Sequence, residues 1–202
     1  MKNCIYLNGQ KIELSAEQLD KIRSALGVGQ IELSSLSPKD IFKIGKHEFI
    51  VLDQIEGATK VLLKETLGDS KFGDTNNYNG SVVDEACEKF ADEIADIIGA
   101  ENIIEHTVDL IADDGLKDYG TIKRRMSLLT ANDCRSCVEI LDADKLEKWW
   151  WTSTAYSTPA HGDEDIVKCV SPSGGISGGS SSNNDIGVRP FCILKSNIFV
   201  SK

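Results

Sequence analysis

Three consecutive tryptophans, Trp149-Trp150-Trp151, constrain this chain more than any other feature. Each indole buries a large apolar area, and its N–H needs a partner once buried, so the run demands a core built around it. Alternation along a strand sends Trp149 and Trp151 to one face and Trp150 to the other, with at least two of the three expected in the core. Beyond them the texture changes. Short apolar pieces at 166–170, 176 and 186–194 alternate with stretches of Ser, Gly, Asn and Asp. That pattern predicts short strands joined by exposed loops. Arg189, set among Val188, Phe191, Ile193 and Leu194, is expected to be ion-paired or bonded to carbonyls, because an unpaired buried charge is costly.

Upstream, the signals are more regular. Ile5 and Leu7, then Ile12 and Leu14, alternate on either side of Asn8-Gly9, which predicts a hairpin closed by a type I′ turn. Ser15 and Gln18 have the spacing of a capping box, and Leu19, Ile22 and Leu26 follow as one helical stripe. Residues 27–37 read as a linker, so the chain divides into an N-terminal piece, 1–37, and a main domain, 38–202. The first is too small to hold a core alone and is expected to dock on the main domain or on another subunit. Strands are predicted at 41–44, 47–54 and 58–64, followed by a polar stretch at 69–80. A helix from about Asp84 to Ile98 is expected behind the cap Ser81, with Cys87, Phe90, Ile94 and Ile97 buried and Gly99 ending it. A second, about Ala131 to Leu141, is capped by Thr130. The class is α+β.

The net charge of −10 argues against nucleic acid and anionic membrane as partners. No apolar run reaches the roughly 20 residues that a membrane span needs. No long apolar segment of a secretory signal is visible at the start, so synthesis and folding in the cytosol, with the six cysteines as thiols, is the expectation. Cys134-Arg135-Ser136-Cys137 is a single Cys-x-x-Cys without a second ligand pair, and a structural role outweighs zinc or redox chemistry. Asp109, Asp113, Asp114 and Asp118 surround Gly115 at the wrong spacing for a calcium loop and read as a solvated loop. No Gly-x-Ser-x-Gly is present, the glycines at 174–179 lack a phosphate-loop context, and no carboxylate pair stands out. Neither catalysis nor a metal or cofactor is expected.

The tryptophan cluster, the short strands and Ile186-Gly187-Val188-Arg189-Pro190-Phe191 together resemble the C-type-lectin-fold variable proteins of diversity-generating retroelements and related phage and prophage proteins of gut Firmicutes. The resemblance spans about residues 38–202 and takes in Val108-Asp109-Leu110, Asp113-Asp114-Gly115-Leu116, Tyr119-Gly120 and Ser127-Leu128-Leu129-Thr130. It implies two helices against twisted antiparallel sheets, a last segment folded back as a core strand, and a non-enzymatic ligand face of C-terminal loops that vary. Its partner would be a bacterial surface protein or glycan, and the N-terminal piece would attach the protein to a virion or to another copy. Adenine-directed diversification yields a restricted residue set that includes Ser, Gly, Asp, Tyr, His and Ala beside the parental Asn. Ser177, Gly178, Gly179, Ser180, Ser181, Ser182, Asn183, Asn184 and Asp185 all belong to it, as do Ala160, His161, Gly162, Asp163 and Asp165. Tyr156 and Gly175 are compatible single positions, and Lys168 completes the expected face. A plain Ser/Gly/Asn loop has the same composition. Two departures narrow the inheritance. The Glu-Pro-Asn and Trp-Asn-Asp signatures of calcium-dependent sugar binding are absent, and the catalytic cysteines of the related formylglycine-generating enzymes are not recognisable. A virion protein with fixed loops and a thiol or metal enzyme using Cys134 and Cys137, or Cys169 and Cys192, are the alternatives.

Overall fold

The structure is a computed structural model that describes residues 4–7, 10–15, 17–18, 21–22 and 29–202. At the N-terminus β1 (Cys4–Leu7) pairs antiparallel with β2 (Gln10–Glu13), with Cys4 opposite Glu13. The Asn8-Gly9 turn lies outside the described residues, as do Leu19 and Leu26 of the expected helical stripe. The capping box is present: the Ser15 N–H donates to Gln18 Oε1 at 2.9 Å, and the Gln18 N–H to Ser15 Oγ at 3.1 Å.

The main body is mixed α+β, dominated by antiparallel sheet, with three α-helices among the described residues. In chain order it runs β3 (Gln30–Glu32), β4 (Ile41–Ile44), β5 (His47–Ile55), β6 (Ala58–Leu63), α1 (Val82–Ile98), β7 (Ile103–Ile104), β8 (His106–Asp109), β9 (Thr121–Arg124) and β10 (Met126–Leu128). Then follow α2 (Ala131–Ser136), α3 (Val138–Ala143), β11 (Trp150–Ala155), β12 (Ile166–Val170), β13 (Ile176–Ser180), β14 (Pro190–Lys195) and β15 (Phe199–Ser201). An eight-stranded sheet has the order β10-β14-β6-β5-β4-β15-β3, with β7 also on β14; β11-β12-β13 form a second sheet and β8-β9 a ribbon.

Residues 30–36 are part of this body, although their sequence reads as linker. β3 pairs with β15, Ile31 opposite Val200, and Leu33 and Leu36 are buried in the main core. Their pairing partner lies some 170 residues downstream, which no local pattern reveals. The last segment folds back as expected: β14 inserts between β10 and β6, with Phe191 opposite both Ser127 and Leu62.

β5 is buried over four successive residues, Phe49 to Leu52, because both sheet faces are covered. Phe49 and Val51 face α1 and its Phe90 and Ile94; Ile50 and Leu52 join Leu129, Ile140, Leu141 and Trp150 on the other side. Ser81 caps α1 by accepting from the Asp84 N–H, and Gly99, at φ 86°, ends it. Ile97, expected in the buried stripe, is half exposed at the last turn. The single helix expected over 131–141 is two. Thr130 and Asp133 close a reciprocal capping box, and the chain breaks at Cys137 before α3 begins. The stretch 69–80, polar in composition, holds the fully buried Phe72, Asn76 and Tyr78. No helix among the described residues is long and apolar enough to cross a membrane.

Candidate ligand-binding face

β11 is the rigid base of the face, buried along its whole length. Trp150 and Trp151 point to opposite sides, as alternation requires. Trp150 packs with Ile50, Leu62, Leu129 and Phe191, and Trp151 with Phe72, Val167, Cys169 and Ile186. The Trp151 indole N–H donates to Ser70 O at 2.9 Å. Trp149, one residue before the strand, is 38% exposed and belongs to neither cluster. Arg189 closes this region. Its Nε donates to Leu63 O and its Nη2 to Lys64 O, both at 2.9 Å, and Nη2 also meets Asp144 Oδ2 at 3.0 Å. Its guanidinium lies 5.3 Å from the Trp150 ring centroid. Burial lowers the Arg189 pKa against the pull of Asp144, and the buried charge is thus both paired and carbonyl-bonded.

The residues expected to vary separate into those that hold the face and those that project from it. Gly179, part-buried, and Ser181, buried, belong to the base. A Cβ on Gly179 would stand 2.9 Å from Ile186 Cδ1 and 3.4 Å from the Trp151 ring, and Ser181 is buried with its Oγ donating to Asp165 Oδ1. Asp165 Oδ1 also takes Ser180 Oγ at 3.0 Å. Asp163 Oδ1 accepts the N–H groups of Asp165 and Ile166, both at 3.0 Å. These carboxylates are fasteners. Ser177, Gly178, Gly179 and Ser180, read as loop, lie within β13, in unbroken register with β12. Tyr156, Ala160, His161, Gly162, Gly175, Ser177, Gly178, Ser182, Asn183, Asn184 and Asp185 are exposed. Lys168 is not free for a ligand: it pairs with Asp113 at 3.1 Å and lies over the Tyr156 ring.

Two fastenings have no counterpart in the expected site. Buried Asn76 ties three segments together. Its Nδ2 donates to Ser157 O at 3.1 Å, Ile166 O at 3.2 Å and Asp163 Oδ1 at 3.3 Å, while its Oδ1 accepts the Tyr119 hydroxyl at 2.6 Å. The only sequence hint is the pair of aromatics, Phe72 and Tyr78, that bracket it in the polar stretch. The acidic loop at 109–118, read as solvated, braces the same face. Asp114 accepts from Ser157 and pairs with His161 at 2.9 Å, Asp118 accepts from Thr158 at 2.8 Å, and Asp113 bridges Arg135 and Lys168. Burial pushes the Asp113 carboxyl up, but the bonds from Arg135 and Lys168 outweigh it and hold the group below the usual carboxylate range. The Ser157 and His161 bonds hold Asp114 low as well.

Two clefts flank this structure. The first, about 570 Å³, is lined by Asp113, Asp114, Tyr156, Ser157, His161, Gly162 and Asp163. The second, about 400 Å³, lies between the β8-β9 ribbon and α2, with Lys60, His106, Asp133, Arg135 and Phe191 in its wall. Its charges are matched internally: Lys60 meets Asp133 at 2.6 Å and His106 Nε2 lies 2.9 Å from Ser127 Oγ. Burial lowers the His106 pKa, which keeps the ring neutral at pH 7. Burial also raises the thiols of Cys87, Cys134, Cys137, Cys192 and Cys169, the last to about 11, so at neutral pH these five are protonated and poor nucleophiles or ligands. Among the described residues no three His, Cys, Asp or Glu side chains are grouped to hold a metal ion. No protein-family model, curated protein or solved structure matches this chain.

Proposed function

We propose that this chain is a non-enzymatic ligand- or receptor-binding protein on a C-type-lectin-type scaffold, phage-encoded, whose C-terminal tips vary while its core does not. One observation carries the reading. Ser182, Asn183, Asn184 and Asp185 are exposed in succession, and the residues on either side of them, Ser181 and Ile186 to Val188, are buried. Side chains at such a tip can be exchanged without disturbing the packing that anchors it. The hydrogen bonds of Asn76, Asp163, Asp165 and Ser181 hold the tip's base, so binding and folding reside in different residues. Diversification therefore belongs to Tyr156, Ala160, His161, Gly175, Ser177 and 182–185, and excludes Gly162, held at φ 78°, Gly178 and Gly179, whose Cβ would each meet a side chain at 2.9 Å, and Ser181.

Sequencing the encoding locus tests this. The expected result is a reverse-transcriptase gene and a near-copy of the 3′ end of this gene, differing mainly at adenines within the codons for the projecting residues. A locus with neither, and tips unchanged across sibling isolates, would leave a fixed-loop virion protein as the better reading. A direct test is decoration of intact bacterial cells by labelled protein, with loss of binding on replacing Ser182–Asp185 by four alanines.

A further inference from the structure

β13 is the outer strand of its sheet, and its hydrogen-bond phase can be read from its two ends. The Ser171 N–H donates to Gly175 O, and the Ser181 N–H to Asp165 O, both at 2.8 Å. In an antiparallel pair the bonded residues alternate, so with this register Gly175, Ser177 and Gly179 turn their N–H and C=O groups toward β12, as does the N–H of Ser181, whose carbonyl instead accepts from the Phe72 N–H at 2.8 Å. Ile176, Gly178 and Ser180 turn theirs outward. The Ser180 carbonyl is used by the Asn183 N–H, but no strand of the described residues pairs with the rest of that edge.

Exposed edges are ordinarily protected by a lysine, a proline, a bulge or a covering loop. Ile176-Ser177-Gly178-Gly179-Ser180 contains no charge and no proline, and its register is unbroken. Gly178 is exposed and has no side chain to shield its peptide groups. The surroundings are acidic. Asp163, Glu164 and Asp165 precede β12, Asp185 follows the tip, and two nearby cations are paired, Lys168 with Asp113 and Lys145, beside Gly174, with Asp142. A second copy of this chain, itself at −10, would meet the same acids.

We propose that the β13 edge receives an extended, positively charged segment of a partner protein as a fourth strand. This rests on the binding role proposed above and gives its partner a chemical class: polypeptide, with main-chain bonds to Ile176, Gly178 and Ser180 for affinity and acids at the rim for selection.

The test is a titration of the isotope-labelled full chain with a ten-residue peptide of alternating Thr and Lys. A matching peptide with alternate amides N-methylated, which cannot pair, is the control. The expected result is slowed amide exchange at Ile176, Gly178 and Ser180 with the first peptide only. Gly178→Pro should bind at least about tenfold more weakly than Gly178→Ala. Both introduce a Cβ that meets Ile166 Cγ2 at 2.9 Å, but only proline removes the outward N–H. Equal affinity of the two variants, equal binding of the N-methylated peptide, or no binding at millimolar peptide would overturn the inference. Bacterial surface glycan that shifts the signals of Tyr156 and 182–185 in place of peptide would also overturn it, yet leave the binding role standing. Failure of the cell-decoration experiment as well would remove both.

Discussion

The eight-stranded sheet and the β11-β12-β13 sheet are both packed against neighbours, but by different means. The larger sheet is covered by interlocking apolar side chains: Phe42, Phe49, Val61 and Leu194 on one face, Ile50, Leu62 and Phe191 on the other. Its stability is spread over many contacts of about 0.1–0.2 kcal/mol per atom pair. The smaller sheet has two tryptophans at its inner strand and Ser and Gly at its outer one. Its inner strands are packed through Trp150, Trp151, Val167, Cys169 and Val170, and its loops and outer end are fastened by a few polar bonds at Asn76, Asp163, Asp165 and Ser181. A sheet held in this way keeps its outer surface independent of its core, which is the property a variable binding face needs.

Breaking the shared anchor should have the largest effect. Trp151→Ala removes the largest side chain between the polar loops and the core and strands Ser70 O, so a loss of about 3–5 kcal/mol in denaturant unfolding is expected. A loss under about 1 kcal/mol would show that the smaller sheet does not depend on it. Arg189→Met comes next, at roughly 3 kcal/mol, because the Leu63 and Lys64 carbonyls and Asp144 lose their shared partner. Retained stability there would mean that water replaces the guanidinium.

Smaller changes sharpen the comparison within the second sheet. Asn76→Ala should cost about 2 kcal/mol, since it leaves the Ser157 carbonyl and the Tyr119 hydroxyl unpaired and takes from Ile166 O one of its two donors. It should also speed hydrogen exchange at Asp165 and Ile166 more than anywhere in the larger sheet; uniform acceleration would contradict the division. In acid, Asp113, Asp114 and Asp133 act alike. For Asp133, burial pushes the carboxyl up, but Lys60 and Thr130 outweigh it and its folded pKa lies low. A depressed folded pKa contributes stability above the unfolded value of about 3.9 that is lost as pH falls through the folded one. Unfolding midpoints should therefore fall below about pH 4, and Asp133→Asn should flatten that decline. The smallest effect is expected at the tip: joint replacement of Ser182–Asp185 by Tyr, His, Asp and Gly should change stability by under about 0.5 kcal/mol, whereas Gly179→Ala alone costs about 1–3 kcal/mol.

How much of this was legible follows the same division. Strands 41–44, 47–54 and 58–64, helix α1 with its caps, and the β12 strand were readable because their signals are local: apolar period, turn residues, capping spacing. Arg189 was readable as a paired buried charge because an isolated charge among apolar residues has few other solutions. The role of the small polar residues was not readable. Gly179 and Gly178 are adjacent and identical, yet a Cβ on Gly179 would press on Trp151 and Ile186 of the core, whereas Gly178 is exposed and its Cβ would meet Ile166 of the neighbouring strand. Ser181 and Ser182 differ in the same way, one buried against Asp165 and the other exposed.

The sequence by itself determined the α+β class, the bounds of the locally patterned elements and a core built on at least two of the three tryptophans. Those follow from periodicity and side-chain volume, which act over a few residues. Only the tertiary structure decided that residues 30–36 complete the large sheet, that the acidic loop at 109–118 braces the face, and which of the Ser, Gly, Asp and Asn residues are fasteners. A serine or glycine has no strong preference for inside or outside, so its role is set by what distant segments place beside it.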